Sequence, residues 1–99
     1  MSKTYFNNRD LINVQRTEKI LDEDLPEFCR EYFVGISTST SALTRLNYAY
    51  DIRTFFKYMC SRISRFKGKS TKELTTADVE SLSPFEVEAY LNYIEIYKD

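Results

Sequence analysis

Histidine is missing from these 99 residues altogether, and so is tryptophan. Without an imidazole there is no Ser-His-Asp or Cys-His relay, and most zinc sites lose a usual nitrogen ligand. The two cysteines, Cys29 and Cys60, are too few for a disulfide scaffold and form no Cys-x-x-Cys pair. They read as reduced intracellular thiols that fill a core. Two glycines and two prolines leave little of the turn-forming material an all-β domain needs. No apolar run approaches the ~20 residues of a membrane helix, and no signal-peptide pattern is seen, so the expected compartment is the cytoplasm and no membrane partner is expected. What is present is 42% hydrophobic, including eight tyrosines and seven phenylalanines. That is enough apolar matter for the core of one domain.

The net charge of −1 conceals three blocks of opposite sign. Residues 1–40 carry five bases and seven acids. Residues 41–72 hold Arg45, Arg53, Lys57, Arg62, Arg65, Lys67, Lys69 and Lys72 against the lone Asp51, a balance of +7. Residues 73–99 set Lys98 against seven acids. A neutral total therefore says nothing about the local field, and the basic middle third calls for an explanation.

Periodicity predicts helices throughout. Leu11, Ile12, Val14, Ile20 and Leu21 give a weak helical order over Arg9–Leu21. Pro26 fits the first turn of a second helix, in which Leu25, Phe28, Cys29, Tyr32, Phe33 and Ile36 form a stripe. The hydroxyl-rich run Ser37–Ser41 is linker and N-cap material. The longest element runs from about Ser41 to Phe66, with Ala49, Ile52, Phe56, Met59, Ile63 and Phe66 on one face. The opposite face gathers Asn47, Tyr50, Thr54, Lys57, Tyr58, Ser61 and Arg65. It carries no acid, unlike a solvent face laced with Glu–Lys pairs. Gly68 ends that helix, followed by a basic loop over Lys67–Lys72. A capped start at Thr75–Asp78 opens a short helix ending near Leu82. Ser83-Pro84-Phe85-Glu86 then combines an N-cap serine, a first-position proline and a capping-box glutamate. The stripe Val87, Tyr90, Leu91, Ile94 and Tyr97 follows. The core should bring Ile52, Phe56, Met59 and Ile63 against Phe28, Tyr32 and Leu91. The chain is expected to be all-α, a small bundle of about four helices, with residues 1–23 as an N-terminal arm containing a possible helix and 24–99 as the domain.

The start of the long helix, Ser41-x-x-Thr44-x-x-x-Tyr48-x-x-Asp51-Ile52-x-x-Phe55-Phe56-x-Tyr58, resembles the N-terminal core-binding domain of tyrosine recombinases, the phage-type integrases. The stripe from Leu25 to Ile36 looks like that domain's first helix, and Leu74-Thr75-x-x-Asp78-Val79 like the segment leading into a later one. The resemblance implies a SAM-like bundle that grips double-stranded DNA beside a strand-exchange site, together with other recombinase protomers. It implies DNA integration and site-specific recombination as the setting. In such enzymes a separate catalytic domain supplies a tyrosine nucleophile with its arginines and histidines. That set cannot be placed on this histidine-free chain, so no catalytic residue, metal or cofactor is expected here. The family's last helix and catalytic domain would lie beyond Asp99.

The candidate DNA contacts are Thr40, Ser41, Thr44, Asn47, Tyr50, Arg53, Thr54, Lys57, Tyr58, Ser61, Arg65, Lys67 and Lys69. Lysine and arginine displace counterions from phosphates, and a helix in the major groove can aim Asn, Thr and Arg at base edges. Ser39, Thr40, Ser41 and Thr44 stand where free N–H groups of a helix N-terminus face an anion, although one of them must cap the helix. Arg45 lies near the core side of its helix, Tyr48 and Asp51 read as structural, and the acidic last third is a solvated face or a contact for a neighbouring protomer. The alternative reading is a helical protein–protein interaction module with a basic face and no DNA role.

Overall fold

The computed structural model describes residues 8–97. Among them the chain is all-α. Helices α1 (Asn8–Glu23), α2 (Phe28–Gly35) and α3 (Ala42–Arg62) are followed by single 3-10 turns at Ser64–Phe66 and Thr71–Glu73, then by α4 (Thr76–Glu80) and α5 (Pro84–Tyr97). The capping signals lie where local chemistry puts them. Ser41 is extended (φ −80°, ψ 163°), and its Oγ accepts the Thr44 backbone N–H at 3.1 Å. Thr75 and Asp78 close a capping box at α4. Ser83 and Glu86 do the same at α5, at 2.9 and 3.2 Å.

One core forms where α1 lies along α3, with α2 and Leu74 closing its sides. Leu25, Ala49 and Met59 are wholly buried, surrounded by Ile20, Leu21, Cys29, Phe33, Leu46, Phe56 and Phe66. Ala42 and Ala49 on α3 are buried, and α1 buries Asn13 and Thr17. Those short side chains allow the two backbones to approach closely. The Thr17 hydroxyl is satisfied by donating to the Asn13 carbonyl at 2.9 Å. Arg30 ties α2 to α1 through Glu18 and Asp22. Lys72 donates to the Asp22 carbonyl at 2.8 Å, closing the C-terminal end of α1.

Several expectations need correction. Residues 8–23 are not a separate arm: α1 contributes Ile20 and Leu21 to the shared core. Residues 1–7 lie outside the described ones. Leu11 and Ile12 are about half exposed, because α1 turns Asn13 and Thr17 towards α3 instead. The long helix ends at Arg62, not Phe66, because Ile63 is extended (φ −101°, ψ 117°). A helix continued to Phe66 would carry that ring ~6 Å further along the axis; the bend returns it to the core, 3% exposed. Gly68 therefore serves the turn after the first 3-10 segment, at φ +94°, a conformation glycine adopts without strain. Phe56 and Met59 are buried as expected, with Ile52, Ile63 and Phe28 packed half-buried against them. Tyr32 and Leu91 are not in the core, being 48% and 53% exposed. Tyr48 is also exposed, because α1 occupies a different side of α3.

Helix α5 accounts for the Leu91 error. It buries no residue of its own and reaches the bundle through aromatic rings and the Glu86–Arg65 ion pair. The molecule is consequently elongated, 52 Å by 29 Å by 20 Å. Its radius of gyration is 15.4 Å, against ~13 Å for a compact domain of this length.

Candidate nucleic-acid interface

Six of the eight bases in the middle block are engaged within the chain. Arg45 donates to the carbonyls of Ser37, at 2.9 Å, and Thr40. Arg53 pairs with Asp24 at 3.1 Å, its guanidinium 5.3 Å from the Tyr50 ring centroid. Arg62 stacks over Tyr93 at 4.8 Å. Arg65 makes a bidentate pair with Glu86 and donates to the carbonyl and hydroxyl of Ser81, both at 3.1 Å. Lys69 pairs with Asp78 at 2.7 Å, and Lys72 donates to α1 carbonyls. Lys57 and Lys67 have no such partner among the described residues. The charge blocks seen along the sequence thus fold onto one another.

The pairing lowers the acids' titration. Hydrogen bonds from Arg65, then from the Ser83 backbone, hold Glu86 down at about 2, and Lys69 lowers Asp78. Both belong to the acidic last third, a candidate contact for a neighbouring protomer; both face their own chain instead.

The thirteen candidate residues therefore divide. Thr40 donates to the Ile36 carbonyl at 2.6 Å and accepts from Arg45. Ser41 and Thr44 bond to each other across the cap. Tyr58 does not lie on an open face: its ring centroid is 5.1 Å from that of Tyr90 and 5.0 Å from that of Tyr93. Phe55 also meets Tyr90, at 4.6 Å. Arg65 and Lys69 are paired with Glu86 and Asp78, and Arg53 is drawn to Asp24. Asn47, Tyr50, Thr54, Lys57 and Ser61 remain exposed along α3. Their spacing of three and four residues makes one continuous strip ~21 Å long. The Thr54 and Ser61 hydroxyls donate to the Tyr50 and Tyr58 carbonyls, which orients them while leaving their lone pairs outward. Lys67 stands beyond the helix end, also exposed.

Wheel reasoning missed the partners Asp24, Asp78 and Glu86 and the tyrosine cover from α5. A signal was present: a basic block flanked on both sides by acidic blocks in one short chain favours pairing within the fold. Among the described residues no cluster of His, Cys, Asp and Glu is arranged to hold a metal. Nor is any described helix long and apolar enough to cross a membrane. Compared with protein-family models, with curated proteins and with solved structures, the chain matches none of them.

Proposed function

We propose that this chain is a DNA-gripping domain of the tyrosine-recombinase core-binding type, holding duplex DNA for site-specific recombination without catalytic residues of its own. The observation that carries the reading is the open strip on α3. Asn47, Tyr50, Thr54, Lys57 and Ser61 offer donors and acceptors for base edges and phosphates on a 21-residue helix, and the major groove, ~12 Å wide, admits such a helix. Lys57 lies within the strip and Lys67 past its end, both available for phosphate. Of the engaged residues, Arg53 ties the helix to Asp24 and Lys69 ties the loop after it to Asp78 on α4.

The test is a titration with duplex DNA followed by NMR and by salt dependence. Asn47, Thr54, Lys57 and Ser61 amides should shift, with affinity on the order of micromolar or weaker at low salt, as befits non-specific contacts. Two lysines at two phosphates give a log–log salt slope of about −1.8, and Lys57→Ala should flatten it by ~0.9. Absence of binding at low salt, or shifts confined to residues 73–97, defeats the reading. A second reading, a protein-interaction module, draws on Phe85, Leu91 and Ile96 standing exposed on α5, and shifts confined to that helix would favour it.

A further inference from the structure

The end of α3 and the start of α5 enclose an open cleft of about 290 Å³, lined by Tyr58, Arg62, Arg65 and Glu86 among others. Two arginines and a tyrosine lining one small space are residue types that bind phosphate. In this structure the anion at Arg65 is the Glu86 carboxylate, with its two oxygens at 2.5 and 2.9 Å from the two terminal guanidinium nitrogens. That bidentate fork matches carboxylate and phosphate alike. We propose that this cleft is a second phosphate site, filled by Glu86 when no nucleic acid is bound, and that α5 is a cover which a DNA phosphate displaces. The inference rests on the DNA reading and adds a regulatory contact to it.

Three features make the exchange feasible. The pair is exposed, with side chains 43% and 25% accessible, so it is weak and screened by salt. Arg65 has an anionic partner before and after, so swapping carboxylate for phosphate leaves no unpaired guanidinium in either end state. And α5 buries no residue of its own, so lifting it disrupts tyrosine contacts (Tyr90 and Tyr93 on Phe55 and Tyr58) and takes a cover from Phe55 at the core's edge, while none of these contacts reaches the buried centre at Leu25, Ala49 and Met59. Protonation does not release the cover near neutrality, because Arg65 holds Glu86 at about 2. The trigger is a competing anion. Lifting α5 uncovers Tyr58 and frees Arg62 from Tyr93 and Arg65 from Glu86, extending the strip past the end of α3.

The experiment is salt-dependent binding of a short random-sequence duplex to the full chain and to Lys57→Ala, Arg65→Ala, Glu86→Gln and Glu88→Gln. The Glu86→Gln change keeps an acceptor for the capping box while removing the charge that holds Arg65. If Arg62 and Arg65 join Lys57 and Lys67 on phosphates, the wild-type slope steepens to about −3.6, and Arg65→Ala flattens it by ~0.9. Glu86→Gln should tighten binding about two- to fivefold, the worth of an exposed ion pair, beyond any gain in Glu88→Gln, which makes the same charge change without touching the clamp. In the wild type, DNA should speed hydrogen exchange at α5 amides and slow it along α3. A slope unaffected by Arg65→Ala, equal gains in the two glutamine variants, or α5 amides unmoved by DNA overturns the cover while leaving the DNA reading intact if Lys57→Ala still flattens the slope. No binding by any of the five proteins defeats both.

Discussion

Replacing Phe56 and Leu91 separately by alanine sets the two versions of the core against each other. Both are large apolar residues on helical stripes, and helical periodicity places both inside. Phe56 is 5% exposed and its ring centroid lies 6.2 Å from that of Phe28 and 6.1 Å from that of Phe55. Leu91 is 53% exposed on the outer side of α5. Emptying the Phe56 site removes the transfer free energy of a benzyl group and leaves a cavity among Met59, Phe28 and their neighbours, a loss of about 3–5 kcal/mol. A chain of this length has about 5–15 kcal/mol in total. At about 4–8 °C per kcal/mol the melting temperature should fall by about 12–40 °C. Leu91→Ala opens no cavity and should stay within about 0.5 kcal/mol of wild type. Thermal melts and urea titrations followed by circular dichroism read both, with the urea midpoint moving and its slope unchanged. Comparable losses at the two positions, or a mild Phe56→Ala, would refute the reasoning, since α5 would then be a structural part of the core.

Acid should weaken the fold through Glu86. Its folded-state value, about 2, lies below its ordinary 4.5, so its contribution is present above about 4.5 and is lost as pH falls from there towards about 2. Asp78, lowered by Lys69, acts in the same direction, and Glu86→Gln should show a smaller acid-side loss in thermal melts. Ser41→Ala should cost about 0.5–2 kcal/mol in urea unfolding by removing the acceptor for the Thr44 amide, whereas Ser41→Gly should cost only a few tenths. Burial pushes the Cys29 thiol up to about 11, so near neutral pH it is almost wholly protonated and shielded. Alkylation should reach half-buried Cys60 first and Cys29 only at the rate of global unfolding, as mass spectrometry of labelled peptides would show.

Local chemistry determined the element boundaries that depend on neighbours in the chain. Ser41, Thr75 and Ser83 cap helices because a side-chain oxygen three residues before an unpaired N–H needs no tertiary help, and the spacing of Ala49, Phe56 and Met59 sets the inner face of α3 by geometry alone. The sequence also showed that bases and acids are segregated into blocks. Only the fold decided where those charges point. Whether Arg65 faces solvent or Glu86, and whether Tyr58 is open or lies under Tyr90 and Tyr93, depends on the path between α3 and α5. That path is set by the extended residue at Ile63, the left-handed turn at Gly68 and two single 3-10 turns. A helical wheel knows the angle of a side chain about its own axis but not which helix stands beside it. The inner face of α3 was therefore legible from periodicity, while the outer face became a short open strip and a covered cleft only when α5 was laid across its end.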